Sequence, residues 1–174
     1  MKKIRKIAYI SLFAALMCAG SFICIPTTPP FTMQTFVIFL SLLSLGAAKA
    51  SLSVSVYLLL GFIGLPVFSS FQGGIGALLN PTGGFIIGFL LMPVVFALAM
   101  GILKLKPFYS GIISLIPLYA IGVVWFIFIS GIGFTLDSVI TAVLTYVMPF
   151  IIPDILKLLL AIFIHNRIKG WIRL

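Results

Sequence analysis

The stretch Phe150-Ile-Ile-Pro-Asp-Ile-Leu-Lys-Leu-Leu-Leu-Ala-Ile-Phe-Ile164 reads as hydrocarbon with two charges set into it, Asp154 and Lys157. The chain has only two acidic residues, and Asp154 is one of them. An ionised side chain deep in a bilayer is costly, so where it occurs it is paired and tends to mark a substrate or ion pathway. Positions 154 and 157 are three apart and share one helix face. Two readings stand at this point: an ion pair that locks a helix bundle, or the polar part of a ligand site. A buried ion pair is a weak stabilising device, which favours the second.

The rest of the chain sets the class. Hydrophobic residues make up 63% of the 174 positions and charged residues 7%, against about 45–50% and about 25% in soluble domains. This predicts an all-α integral membrane protein, a compact helical bundle forming a single domain over residues 1–174. The net charge of +9 would suit nucleic acid, but the placement of the basic residues argues for a membrane face instead. Cys18 and Cys24 have no metal-ligand spacing and read as small packing residues. Lys2, Lys3, Arg5 and Lys6 precede an apolar run to Ile25. It is longer than a usual signal-peptide core and is read as a retained first span.

Six apolar segments can be drawn, at about 7–25, 33–48, 51–66, 83–103, 109–130 and 139–166. The basic residues Lys2, Lys3, Arg5, Lys6, Lys49, Lys104, Lys106, Arg167, Lys169 and Arg173 fall before the first, between alternate segments, or after the last. The other connections contain none, leaving Lys157 alone inside a segment. The positive-inside rule then predicts six transmembrane helices with both termini cytoplasmic. Trp171 suits an interfacial anchor. His165 beside it has no carboxylate or cysteine to orient it for catalysis.

The external connections, 26–34 and 66–84, are apolar and rich in Gly and Pro. Irregular backbone at membrane depth is tolerated only where protein or a water-filled cavity satisfies it. Both loops are therefore expected to fold over an outer cavity. Pro149 and Pro153 predict a short helix near 137–147 and a final helix starting at about Pro153. Asp154 would then lie in its first turn, where the helix dipole favours a negative charge.

Other motifs are less specific. Gly73-Gly-Ile-Gly76 lacks the GK[ST] of a phosphate loop and any preceding strand. Gly84 and Gly88 are spaced to let helices approach closely. Asn80, an amide with two donors and an acceptor, needs partners when buried. Ala15 and Ala19 give small-xxx-small spacing, for packing within the bundle or for docking a partner. No HExxH or GxSxG pattern occurs, and Asp137 lies apart in an external connection, so no enzyme is expected.

Taken together, Phe31-Thr-Met-Gln34, Gly64-Leu-Pro-Val-Phe68, Gly73-Gly-Ile-Gly76, Asn80-Pro-Thr-Gly-Gly-Phe-Ile-Ile-Gly-Phe89 and Pro149-Phe-Ile-Ile-Pro-Asp-Ile-Leu-Lys157 resemble the BioY family. These are the biotin-specific substrate-binding (S) components of energy-coupling factor (ECF) transporters. Many relatives carry Gly at the position of Asn80 and Tyr at that of Phe85. The resemblance implies a protein of the prokaryotic plasma membrane that captures biotin from outside. It implies partnership with a transmembrane coupling protein (the T component) and two cytosolic ATPases, with no cofactor or metal. Biotin offers two ureido N–H groups, a ureido carbonyl, an apolar thiophane ring and a carboxylate. Asp154 would accept a ureido N–H. Asn80 would bond the ureido group, and Lys157 would meet the ureido oxygen or the carboxylate. Gln34 would cap the site, with Thr82 and Gly83 beside it and Phe71 and Phe85 on the rings. Ala15 and Ala19 would form the docking surface. The alternatives are an S component for another vitamin, or a stand-alone ion-coupled secondary transporter in which Asp154 carries the ion.

Overall fold

The structure, a computed structural model, describes residues 2–27 and 29–171. Thr28 of the first connection and Arg173, counted above among the cytoplasmic cations, lie outside the described residues. The first apolar segment forms α1 (Lys2–Phe22), followed by a small antiparallel hairpin, β1 (Cys24–Ile25) and β2 (Phe31–Thr32). The second and third segments form α2 (Gln34–Leu45) and α3 (Ala47–Phe62), which meet at Gly46. Its φ of 78° is a conformation that glycine adopts freely. Among the described residues the hairpin is the one β element in an otherwise helical chain, with Cys24 opposite Thr32 and Ile25 opposite Phe31.

The fourth segment does not run as one helix. After a 3-10 turn (Ser69–Phe71) and a single turn α4 (Ile75–Leu78), it splits into α5 (Gly83–Gly88) and α6 (Leu91–Gly101). Pro93 explains the break, because it lacks an N–H and its ring crowds the carbonyl four residues back, that of Phe89. Then come α7 (Pro107–Ser130), α8 (Leu136–Tyr146) and α9 (Met148–Ile168). Thr135 and Ser138 form a capping box that starts α8.

The last break falls at Val147, so α9 begins at Met148 and contains Pro153. This corrects the expected start at Pro153. Pro149 sits in the first turn, where a missing N–H costs nothing, and Pro153 forfeits one ladder bond just beyond it. Asp154 is thus in the second turn. The dipole of α9 does not hold it, since that field fades within the first turn; direct donors do.

α2 is buried nearly all round by α1, α3 and α9. Ile38, Phe39 and Leu42 there join Met17, Val54, Tyr57, Met92 and Leu158 in one apolar core. A helix that is apolar on every face belongs inside the bundle. α7 packs against α5, α6, α8 and α9. Three helices, α1, α7 and α9, are long and apolar enough to cross a membrane; α2, α3, α6 and α8 are apolar but shorter.

The two ends of the bundle differ in charge. At one end Gly46, Ala47, Gly101, Pro107, His165 and Asn166 line a common groove, and Ser44 Oγ lies 3.2 Å from His165 Nδ1. Lys49, Lys104, Lys106, Arg167 and Lys169 are set in these same turns and termini. At the other end the hairpin, the 63–82 loop and the C-terminal turn of α1 gather over a cavity. Met33 N donates to Gly20 O at 3.0 Å, Ser21 Oγ to Val67 O at 2.6 Å, and Trp125 Nε1 to Leu78 O at 2.9 Å.

Candidate functional site: a roofed cavity over a buried charge pair

The cavity holds about 610 Å³ of empty space, a figure that includes its open mouth. Its floor is built on α9. Asp154, 2% exposed, accepts three hydrogen bonds. Thr35 Oγ1 and Lys157 Nζ donate to Oδ1, each at 2.8 Å, and Tyr119 OH donates to Oδ2 at 2.7 Å. Lys157 Nζ also donates to Thr35 Oγ1 at 3.1 Å. Three helices, α2, α7 and α9, therefore meet at one carboxylate. An ammonium has three N–H donors, and among the described residues Lys157 uses two. The third is available to a ligand in the cavity that Lys157 lines.

Gln34, at the start of α2, adds an amide to the lining. Its Oε1 accepts from Thr32 Oγ1 at 2.8 Å, and its Nε2 donates to the Tyr57 hydroxyl. The walls are apolar: Phe85, Ile86 and Phe89 from α5 and its end, Leu118 from α7, Tyr146 from α8 and Phe150 from α9. Phe85 stacks on Tyr146 at 6.4 Å. The two irregular connections supply the roof through Pro29, Pro30, Thr32, Ser69 and Thr82. Phe31 of the hairpin stacks on Phe150 at 4.2 Å and pins that part of the roof to α9. An apolar chamber with a few convergent polar groups suits a small, largely apolar ligand with one hydrogen-bonding head.

Of the residues expected from the sequence, Asp154, Lys157, Gln34, Thr82 and Phe85 come together on the cavity wall. Three do not. Asn80 Nδ2 donates to Gln72 Oε1 at 2.9 Å and its carbonyl accepts from Trp125 Nε1 at 3.2 Å, so its bonds fasten the loop. Phe71 is 69% exposed and stacks on Phe22 outside the chamber at 4.6 Å. Its position follows from the left-handed turn at Ser70 and Phe71, both with φ 57°. Gly83 is buried behind the wall, where a Cβ would meet Leu78 O at 1.8 Å.

Thr35, Tyr119, Tyr146 and Phe150 also line the cavity and are not among the residues expected from the sequence. Thr35 follows Gln34 directly, which was a usable signal. Tyr119 is hidden in the apolar run of α7, where a phenol counts as hydrocarbon. Tyr119→Phe removes one donor to a buried carboxylate. We expect ligand affinity to fall about tenfold, the scale of a charged hydrogen bond, with equilibrium binding to the purified variant as the check.

Fold and site together define a membrane-embedded small-molecule binder: a helical bundle with a roofed chamber and a charged floor. Known proteins narrow the class. A sequence profile described as the BioY family matches residues 1–173. The biotin transporter BioY of Thermotoga maritima is 42% identical over 122 residues, covering 68% of this chain and 72% of that protein. The biotin transporter BioY of Rhodobacter capsulatus is 34% identical over 140 residues, covering 74% and 73%. A crystal structure of the S-component for biotin from an ECF-type ABC transporter superposes with a TM-score of 0.79 at 26% identity, covering 97% of this chain and 93% of that one. The chain belongs to the BioY family. The relatives are named as transporters, not enzymes.

Proposed function

We propose that this chain is a biotin-binding S component that takes biotin from the outer side of a prokaryotic plasma membrane. It delivers the vitamin with an ECF module of one transmembrane coupling protein and two cytosolic ATPases. The observation that carries this reading is the Asp154–Lys157 pair, held at 2.8 Å on the floor of an apolar roofed chamber, in a chain of the BioY family. Asp154 accepts a ureido N–H, and the unused N–H of Lys157 and the Gln34 amide reach the remaining polar atoms of biotin. Phe85, Tyr146 and Phe150 pack its apolar ring. The charge segregation supports the orientation, with the basic end and both termini in the cytoplasm. Six crossings follow if α5 with α6, and α8 with α9, each form one broken span.

Labelled biotin titrated into the purified chain without any ion gradient tests the reading. Saturable binding that riboflavin and thiamine do not displace is expected. Binding that needs a sodium or proton gradient would favour an ion-coupled transporter, and displacement by another vitamin would reassign the ligand.

Ala15 and Ala19 are exposed on α1, while Phe13, Ala14 and Met17 of the same helix are buried. Their small side chains leave a smooth surface for a partner helix. Ala15→Leu with Ala19→Leu is expected to leave biotin affinity within about twofold, because neither residue is in the core. ATP-driven uptake by the reconstituted complex is expected to fall by an order of magnitude or more, as a helix contact built on small residues is lost.

A further inference from the structure

The loop between α3 and α5 reaches the cavity through Ser69, yet it is fastened behind the cavity wall. Ser21, in the last turn of α1, and Tyr57, in α3, are both fully buried and do not line the chamber. The Val67 carbonyl accepts from Ser21 Oγ at 2.6 Å and from Tyr57 OH at 3.3 Å. A carbonyl has two lone pairs, so both donors bind at once. Tyr57 OH accepts in turn from Gln34 Nε2. One hydrogen-bonded chain therefore joins the roof loop to the amide that faces the ligand space. Phe68, the next residue, is 1% exposed and packs edge-on to the Tyr57 ring at 5.6 Å.

The fastening at α1 has a built-in alternative. Ser21 Oγ also lies 2.7 Å from Cys18 O, one turn back on its own helix. A hydroxyl has one proton to give, so it serves one of two carbonyls. Were the loop to lift, Ser21 would turn to Cys18 and stay satisfied, while the Val67 carbonyl and the Tyr57 hydroxyl would lose their bond. The tip of the loop is strained, since Ser70 and Phe71 both have φ 57°, a region that side-chain-bearing residues adopt at a cost. Phe71 is held down by its stack on Phe22, again on α1.

We propose that Ser21 and Tyr57 are positioning residues for the ligand site: a releasable latch that holds the 63–74 loop over the cavity, with Tyr57 coupling the loop to Gln34. This deepens the biotin-binding reading and rests on it for the ligand. A ligand that steadies Gln34 steadies the Tyr57 hydroxyl and, through it, the Val67 carbonyl. The same loop is tied to the end of the helix whose outer face carries Ala15 and Ala19.

The test uses Ser21→Ala and Tyr57→Phe, both of which preserve shape, in the full chain in nanodiscs. Hydrogen exchange of the 67–74 amides is read with and without biotin, along with the biotin dissociation rate. Both variants are expected to speed exchange in that loop and to raise dissociation about threefold to tenfold, the scale of one neutral hydrogen bond. The effect of Tyr57→Phe on dissociation is expected to shrink at least threefold in a Gln34→Ala background, as coupled neighbours do. Unchanged loop exchange in both variants would overturn the latch. An equal Tyr57→Phe effect in both backgrounds would overturn the coupling to Gln34. If the variants speed exchange while the wild type fails to bind biotin, the latch stands and the biotin reading falls.

Discussion

Asp154→Asn is expected to weaken biotin binding at least about 30-fold, equivalent to about 2 kcal/mol, the loss of a charge-assisted hydrogen bond. The native carboxylate accepts from Thr35, Lys157 and Tyr119 on its two oxygens. An asparagine has one oxygen, so its NH₂ must face one of those donors in either orientation. Lys157 then loses its counter-ion in a side chain only 12% exposed. Breaking one half of such a pair is strongly destabilising, whereas replacing both halves with neutral groups is often tolerated. This separates the ligand role from the structural one. Asp154→Asn combined with Lys157→Met is expected to regain most of the lost thermal stability and none of the lost affinity. Titration of biotin into the purified variants, with thermal unfolding alongside, reads both. Wild-type affinity in the single or double variant would remove Asp154 from the site.

Gly84→Ala is expected to be strongly damaging, lowering stability by at least about 3 kcal/mol, the upper end for overpacking. A Cβ at this position would sit 2.3 Å from Trp125 Cβ and 2.7 Å from the Ile121 carbonyl oxygen, so it would strike the backbone of α7. Rigid atoms of a neighbouring helix cannot rotate away as a flexible side-chain tip can. The displaced α5 would carry Phe85 with it, and Thr82 lies at its start, so both would leave the wall of the chamber. Gly76→Ala is the control, because a Cβ there meets nothing within 4 Å. Thermal unfolding and folded yield after solubilisation are the measurements. A Gly84→Ala protein as stable as Gly76→Ala would mean that α5 and α7 do not pack this closely.

The sequence shows most clearly what depends on local pattern. Alternation of lysine and arginine between connections anticipates the charged end of the bundle. The isolated Asp154 and Lys157 announce the floor of the candidate site, and Pro149 marks the break near 147, whereas the break ahead of Pro93 lies inside what reads as one apolar run, 83–103. Position along the chain says less about contacts made across it. Thr35 and Tyr119 reach Asp154 over sequence separations of 119 and 35 residues; the place of Thr35 beside Gln34 is a hint, but nothing near Tyr119 signals the contact. Asn80 is expected at the ligand as an amide in need of partners and Phe71 as an aromatic able to pack its rings, but neither lines the chamber. A left-handed pair at Ser70 and Phe71 and a bond to Gln72 turn them to other work. The start of α9 was misplaced by five residues because two prolines four apart can each begin a helix, and neighbouring packing decides between them.

Phe150, Asp154 and Lys157 all line the chamber from one helix, at intervals of four and three residues. Each residue of an α-helix advances the axis by about 1.5 Å, so Phe150 and Lys157 are about 10 Å apart along α9. The first is stacked under the roof and the second is on the floor. The helix thus acts as a ruler for its cargo. The Lys157 ammonium reaches back to Asp154 at 2.8 Å, so a molecule that touches both it and the Phe31–Phe150 stack has to bridge a shorter gap than the backbone rise, and one too short for that gap must forgo one contact. The spacing of contacts offered to a ligand is therefore set by the pitch of the backbone together with the reach of the side chains.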